Sequence, residues 1–161
     1  MEVLREMIKG ADVLVENYRA GVLAKMGLSD DELKELNPKL VVCHISGFGA
    51  DGPYAQRPSF DFIAQAMSGF MSVNGNRDDD PQRSGLPISD LVAGLYAALG
   101  VSATLAGTRR EDRTFQSVDV GRTDSLISLL SYMASDTLVA GKPPERSGND
   151  HPLVAPYGLF Q

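Results

Sequence analysis

The sequence predicts an α/β fold in which helices cover the faces of a parallel β-sheet. Two short apolar runs have the composition of buried strands, and a third run, over 116–120, alternates polar and apolar residues as a half-buried strand does. Segments with helical spacing of apolar residues separate these runs. The resulting order, α-β-α-β-α-α-β-α, is the order that parallel strands joined by crossover helices produce. A chain of 161 residues is long enough for one hydrophobic core, so we expect a single α/β region over 1–161.

The first half of the chain predicts two strands and three helical segments. Ser29 followed by Glu32 is the capping-box pattern that begins a helix. Pro38 ends that helix because the residue before a proline avoids helical backbone angles. The predicted elements are a helix over 2–9 that ends at Gly10, a strand over 11–15, a helical turn over 22–26, the capped helix from Ser29 and a strand over 40–45.

The second half predicts one strand and three longer helices. Residues 60–73 are apolar on nearly every face, so we expect a buried helix there. In a long helix over 89–107, Leu91, Leu95 and Leu99 are expected to face inward, while its many small residues permit close contact with a neighbouring helix or subunit. A Gly- and Pro-rich connection over 46–59 precedes these helices, and a strand over 116–120 turns at Gly121 into the last helix.

Composition excludes several classes of protein. The formal charge of −6, with no basic block, argues against a nucleic-acid or membrane-surface binder. A single cysteine, Cys43, fits a reducing compartment, and His44 and His151 lie too far apart for zinc-type spacing, so we expect no metal. We see no signal sequence and expect no apolar run long enough to span a bilayer, which predicts a cytoplasmic protein.

Asp124 is the main candidate for a catalytic residue. It lies in the first turn of the helix that follows Gly121, where free N–H groups and the helix dipole favour a carboxylate over a carboxylic acid. Such a group can act as a nucleophile or a base, but it is also the usual way to cap a helix. Capping aspartates outnumber catalytic ones, so Asp124 alone leaves both interpretations open.

Two further segments carry candidate site residues. Asn17, Tyr18 and Arg19 follow the first strand, where ligands bind in open α/β sheets, and they could stack on a base or hold a phosphate. The alternative is a solvent-facing loop. The second segment is 57–61, in which Asp61 begins a helix and could serve only as its cap.

Several motifs along the chain recur together in one enzyme family. The motifs are 11–19 (ADVLVENYR), 26–28 (MGL), 37–40 (NPKL), 46–49 (SGFG), 52–54 (GPY), 61–66 (DFIAQA), 118–120 (VDV) with 124–125 (DS), and the GN, HP and PY pairs within 148–157. In this order and spacing they resemble the family III CoA-transferases, the CaiB/BaiF family, which includes formyl-CoA and carnitine CoA-transferases. The resemblance covers essentially all 161 residues.

The resemblance implies a partial Rossmann-like sheet and a longer protein. Family members carry an N-terminal portion before this region and a smaller domain with a glycine-rich loop after it, so we expect an internal piece of the family fold. Relatives form interlocked homodimers. Because those other parts should supply much of the CoA pocket, we expect residues 1–161 by themselves to be catalytically silent. The alternative outside enzyme function is a silent acyl-CoA-binding or scaffold piece.

Roles carry over from the family to matching positions. Asp124 matches the catalytic aspartate, which attacks an acyl-CoA thioester, forms a mixed anhydride and then an aspartyl-CoA thioester, and passes CoA to an acceptor carboxylic acid. Asp61 matches an acidic residue beside that carboxylate, which it could orient. The expected contacts with coenzyme A come from Asn17, Tyr18, Lys25, Met26 and Arg57.

Two departures from the family pattern bear on function. The related 2-methylacyl-CoA racemases use a histidine at the position of Phe60, and phenylalanine cannot transfer a proton, so a transferase is favoured over this isomerase. The residues just before Asp124, which include Arg122, are bulkier and more basic than the Ser-Leu or Ser-Met type common in relatives. We expect Arg122 either to alter acid selectivity or to face solvent.

Overall fold

A computed structural model describes residues 1–160 and shows three strands with eight helices in that range. The elements are α1 (Glu2–Gly10), β1 (Val13–Glu16), α2 (Val22–Lys25), α3 (Asp30–Leu36), β2 (Val41–Ser46), α4 (Asp61–Met67), α5 (Phe70–Val73), α6 (Ile88–Gly107), β3 (Gln116–Gly121), α7 (Arg122–Ser128) and α8 (Tyr132–Ala140).

The strands form a parallel sheet in the order β1-β2-β3, which confirms the predicted α/β class. Glu16 lies opposite His44 at the end of β1, and Ser46 lies opposite Gly121 at the ends of β2 and β3. Because all three strands run in the same direction, their carboxyl ends meet at one edge of the sheet. Every loop that follows a strand therefore begins at this carboxyl edge.

Side chains of β2 alternate between two apolar clusters, one on each face of the sheet. Val42 belongs to the cluster formed by α1, α2 and α3, whereas Cys43 belongs to the cluster formed by α6. This alternation follows from the two-residue period of a strand. The first cluster contains Ile8, Leu23, Leu28, Leu33, Leu40 and Val42, and the second contains Cys43, Ala93, Ala97 and Val120.

The predicted capping box at the start of α3 is confirmed. The Glu32 backbone N–H donates to Ser29 Oγ, and Glu32 Oε2 accepts a 2.8 Å hydrogen bond from the Ser29 backbone N–H. The Ser29 backbone N–H and Ser29 Oγ both donate to the Glu32 carboxylate, and these two hydrogen bonds lower the pKa of the Glu32 carboxyl below its ordinary value because they favour the charged form.

Two predicted helices are each divided in the structure. The helix over 60–73 breaks at Gly69, whose φ of +83° is in the left-handed region, and the helix after Gly121 breaks before Ser131, whose φ is +49°. Residues 60–73 are also not buried as expected, since Phe60 is 79% exposed and Phe62 is 52% exposed. Apolar content alone therefore misjudged burial in this segment.

The expected inward face of α6 is wrong. Leu95 and Leu99 are exposed, whereas Ala93 and Ala97 are buried against β2 and β3. A methyl group at Gly100 would lie 2.9 Å from Val118 Cγ1, so the helix approaches the sheet too closely for larger side chains. Small residues therefore form the contact with the sheet, and the leucines remain on the other side.

By length and composition α6 is apolar enough to cross a membrane, with 20 residues and a mean hydropathy of 1.5 in its most apolar 18-residue window. The expectation that no apolar run is long enough is therefore wrong for this helix. Its small-residue side contacts β2, β3 and α7, and this packing accounts for the apolar character of that side.

Two glycines of α6 should respond oppositely to the same substitution. Gly94→Ala is expected to raise the free energy of unfolding by about 0.5–1 kcal/mol, because alanine favours a helix and the site is open. Gly100→Ala is expected to lower it by about 1–3 kcal/mol, because the added methyl overlaps Val118. Urea unfolding followed by circular dichroism measures both. Equal changes in the two variants would contradict the packing described here.

Candidate active site

Asp124 lies at the carboxyl edge of the sheet, in the first turn of α7, and its side chain is exposed. The chain reaches this position directly from β3, because α7 begins at the residue after Gly121. A Cβ atom at Gly121 would lie 2.5 Å from Asp124 Oδ2, so only glycine leaves room for the carboxylate in this position. The strand-to-helix turn predicted from the sequence is thus confirmed, and Gly121 is what allows its tight geometry.

The loop after β2 packs against the same turn. Thr123 donates two hydrogen bonds to the Gly47 carbonyl, from its backbone N–H at 3.1 Å and from Oγ1 at 2.9 Å. Further along the loop, the Ala50 backbone N–H donates a 2.8 Å hydrogen bond to Asp119 Oδ2. These bonds join the ends of β2 and β3 and place the glycine-rich loop beside the turn that carries Asp124.

The side chain of Asp124 lines an open cleft of about 390 Å³ between β3, α6 and α7. On the far side, Tyr96 Oη and Ser128 Oγ lie 2.7 Å apart and hydrogen-bond to each other. Valine side chains and hydroxyl groups line most of the cleft beside the two carboxylates of Asp119 and Asp124. A carboxylate that is exposed in an open cleft is accessible to an electrophilic substrate.

Asp61, expected to orient Asp124, bonds to other groups. Its Oδ1 accepts hydrogen bonds from the Ser89 backbone N–H at 2.9 Å and from Ser89 Oγ at 2.8 Å, and its Oδ2 accepts one from Gln65 Nε2 at 2.7 Å. Within residues 1–160 it makes no hydrogen bond to Asp124. Asp61 therefore links the start of α4 to the start of α6, and its influence on Asp124 stays a prediction.

The residues expected to contact coenzyme A are all exposed. Asn17 and Tyr18 follow β1 at the carboxyl edge, and the Tyr18 backbone N–H is held by Glu16 Oε2 at 2.7 Å. Lys25 and Met26 are exposed at the end of α2. The guanidinium of Arg57 lies 4.4 Å from the centre of the Tyr54 ring, in the loop between β2 and α4. The structure thus brings these residues to loops of the same sheet edge, and their contacts with coenzyme A stay a prediction.

A polar cluster of three side chains lies beside this edge. The ring nitrogens of His44 contact Glu16 Oε1 at 2.6 Å and Asp30 Oδ1 at 3.1 Å. These three side chains line a cavity of about 330 Å³ under α2. Glu16 is the last residue of β1 and Asp30 is the first residue of α3. The sequence did not indicate either of them as a partner of His44.

Cys43 is not a candidate nucleophile in this fold. It is fully buried in β2, and burial raises the pKa of its thiol, with smaller contributions from the negative charges of Asp119 and Glu16. A raised pKa disfavours the thiolate, which is the reactive form of cysteine. Across residues 1–160 no group of three or more histidine, cysteine, aspartate or glutamate side chains is placed to hold a metal ion.

Comparison with known proteins agrees with the resemblance seen in the motifs. The family model described as CoA-transferase family III matches residues 1–161. The chain belongs to CoA-transferase family III.

Relatives in this family share much of the sequence and the fold. A succinate–glutarate CoA-transferase of Agrobacterium fabrum is 39% identical over 155 residues, which make up 96% of this chain and 38% of the relative. An acetyl-CoA:oxalate CoA-transferase of Acetobacter aceti is 38% identical over 99% of this chain and 41% of the relative. The crystal structure of a CaiB/BaiF family protein from Brucella suis matches with a TM-score of 0.91 and 38% identity, over 99% of this chain and 42% of that one. The chain thus spans about two fifths of the length of these family III relatives.

Proposed function

We propose that the protein to which this chain belongs transfers CoA between carboxylic acids, with Asp124 as the covalent nucleophile. The observation that carries the proposal is the exposed carboxylate of Asp124, which opens into a cleft at the carboxyl edge of a family III chain. Ligands of open α/β sheets bind at this edge. A nucleophile there is within reach of a substrate held by the loops that follow β1 and β2.

The first half of the proposed reaction moves CoA onto the protein. An oxygen of Asp124 attacks the thioester carbonyl of the acyl-CoA, the C–S bond breaks, and CoA leaves as a thiolate. The acyl group and Asp124 are then joined as a mixed anhydride. The thiolate attacks the side-chain carbonyl of Asp124 and releases the donor as a free carboxylate, which leaves an aspartyl-CoA thioester.

The second half repeats these steps with the acceptor acid. The acceptor carboxylate attacks the aspartyl thioester, CoA again leaves as a thiolate, and a new mixed anhydride forms. The thiolate attacks the acceptor carbonyl of this anhydride, which yields the new acyl-CoA and returns Asp124 as a carboxylate. The cycle needs no oxidant, reductant or net proton. It consumes one thioester and one carboxylate, and it yields one thioester and one carboxylate.

The exposed loops of the carboxyl edge are suited to the CoA nucleotide. Lys25 and Arg57 supply positive charge for phosphate groups, and the ring of Tyr18 offers a flat face for the adenine base. Asn17 can form hydrogen bonds through its amide, and the Met26 side chain can cover an apolar part of the ligand. These properties support the proposed contacts of the five residues with coenzyme A.

We propose small dicarboxylic acids as substrates. One of the two relatives described above is named for succinate and glutarate, and the other for acetyl-CoA and oxalate, so each name includes at least one acid with two carboxyl groups. The identity of 38–39% between each relative and almost the whole of this chain supports a related substrate class.

The residue geometry gives no support to the alternative racemase activity. Racemisation at the 2-position needs a second proton-transfer group, and Phe60 cannot act as one. His44 does not substitute for it, because both of its ring nitrogens already contact the carboxylates of Glu16 and Asp30. A transferase requires only the single nucleophile that the cleft presents.

Trapping of the covalent intermediate tests the proposed nucleophile. The complete protein is incubated with succinyl-CoA and then with hydroxylamine, and the peptide that contains Asp124 is analysed by mass spectrometry. We expect a hydroxamate at Asp124, because hydroxylamine attacks both the anhydride and the thioester. Asp124→Asn should lose at least 1,000-fold in transfer rate, while Asp61→Asn, which retains the nucleophile, should still form the adduct.

Other outcomes of this experiment point to the two alternatives. An unmodified Asp124 together with solvent deuterium at the 2-position of a 2-methylacyl-CoA would make the protein an isomerase. Binding of succinyl-CoA with neither transfer nor deuterium uptake would make it a silent acyl-CoA-binding protein. Either result would overturn the proposed function.

Gly121→Ala tests whether the tight turn controls the nucleophile. The added methyl group would occupy space that lies 2.5 Å from Asp124 Oδ2, so the carboxylate must move. We expect the transfer rate of the complete protein to fall at least tenfold, since small displacements of a reacting group are costly. Gly85→Ala, with no atom within 4 Å of the added carbon, is the matched control and should retain the rate. Equal rates in the two variants would show that the turn does not control the carboxylate.

We further propose that the protein is a homodimer in which the outer side of α6 lies at the interface. Its exposed leucines, including Leu95 and Leu99, form an apolar stripe of the kind that subunit contacts cover. Leu95→Glu should shift the complete protein from dimer to monomer in size-exclusion chromatography with light scattering. Val3→Glu, an equally exposed apolar position on α1, is the control and should leave the dimer intact. A monomeric unaltered protein would contradict this proposal.

A further inference from the structure

Arg122 is a largely buried cation at the start of α7, the helix that contains Asp124. Its side chain is only 14% exposed, so it does not face solvent, which was one of the two expectations for this residue. It is the first residue of α7 and lies two positions before Asp124. A charged side chain this far buried needs partners for its donors.

The guanidinium group finds these partners on two other elements. Arg122 Nε lies 3.0 Å from Asp90 Oδ1, in the first turn of α6. One terminal nitrogen donates a 2.8 Å hydrogen bond to the carbonyl of Ser59, just before α4. Since the planar guanidinium has donors at fixed angles, the two contacts together restrict its position more than either would alone.

The starts of α4 and α6 are also joined by a second set of bonds. Asp61, the first residue of α4, accepts the two hydrogen bonds from Ser89 at the start of α6. That set holds α4 to α6 but does not include α7. Arg122 supplies the missing link, because it connects α7 to both of the other helix starts.

Arg122 acts on Asp124 through the backbone. Side chains two positions apart on a helix point to different sides, so the guanidinium and the carboxylate do not face each other. Arg122 lies against α4 and α6, while Asp124 is exposed in the cleft. Fixing Arg122 therefore fixes the direction of the first turn of α7, and with it the direction in which Asp124 points.

We propose that Arg122 is a positioning residue for Asp124, holding the first turn of α7 through Asp90 and the Ser59 carbonyl. The proposal rests on the proposed function, since it assigns Arg122 to the orientation of that nucleophile. It replaces the expectation that Arg122 alters acid selectivity, because Nε and one terminal nitrogen are directed at Asp90 and at the Ser59 carbonyl. We therefore expect Arg122 to affect the rate of the chemical step and to have little effect on substrate binding.

Substitution of Arg122 in the complete protein tests the proposal. Arg122→Met keeps most of the side-chain length but removes both contacts, and we expect kcat to fall about tenfold with KM for succinyl-CoA changed less than twofold. Arg122→Lys keeps the charge beside Asp90 and should recover part of the rate. Asp90→Ala removes the ion pair but leaves the contact with the Ser59 carbonyl, so it should cause a smaller loss than Arg122→Met. The double variant should lose little more than Arg122→Met alone, because Arg122→Met already removes the contact with Asp90.

Arg110, which is more exposed than Arg122, offers a control for the loss of an arginine and an ion pair. Its Nη1 lies 3.0 Å from Asp12 Oδ2, at the opposite end of the sheet. Arg110→Met removes one arginine and one ion pair, as Arg122→Met does, but far from the turn of α7. We expect unchanged kcat in this control, and circular dichroism of each variant should show that it is folded.

The hydroxylamine experiment separates failure of this proposal from failure of the proposed function. If the unaltered protein forms no adduct at Asp124, the proposed function is wrong and Arg122 has no nucleophile to position. If the adduct forms but Arg122→Met and Arg122→Lys both keep full kcat, the positioning role is overturned while the function stands. A fall in kcat of equal size in Arg110→Met, or a loss that appears in KM alone, would also overturn it.

Discussion

Three helices of this protein begin at one place beside the carboxyl edge of the sheet, and two aspartates hold them there. Asp61 at the start of α4 accepts hydrogen bonds from Ser89, and Asp90 in the first turn of α6 pairs with Arg122 of α7. Carboxylates are favoured at helix starts, where they face unpaired backbone N–H groups and the positive end of the helix dipole. Each aspartate thus stabilises a helix and joins it to a neighbour, and the cleft of Asp124 depends on that arrangement.

Close approach of backbone segments is the second requirement of the site. Thr123 bonds to the Gly47 carbonyl, and Gly121 leaves space for the carboxylate of Asp124. Small side chains also allow close packing along α6, where Ala93 and Ala97 pack on the sheet. Small residues at these places let helix, strand and loop meet at distances that a larger side chain would prevent.

The position of Asp124 could be predicted from the sequence because it depends on local patterns. The alternation in β3 and the helical spacing after Gly121 located Asp124 in a first helical turn, and the family motifs identified it as the catalytic candidate. Asp61 was recognised by the same motifs, but its partners could not be inferred. Ser89 lies 28 positions further along the chain, and only the packing of α4 against α6 brings the two together.

Local sequence by itself determined most element types, the capping box of α3 and the turn at Gly121, because these depend on neighbours within a few residues or on strand periodicity. The order of the elements along the chain indicated the parallel sheet. Tertiary structure decided which faces were buried. In α6 and α4 nearly every position is apolar or small, so periodicity does not distinguish one side from another. In α6 the close approach to the sheet decides which side is buried. Ala97 packs inward against the sheet, and Leu95 remains exposed on the other side. Likewise, only the folded chain brings Asp90 to Arg122, because their pairing requires two helices to start side by side.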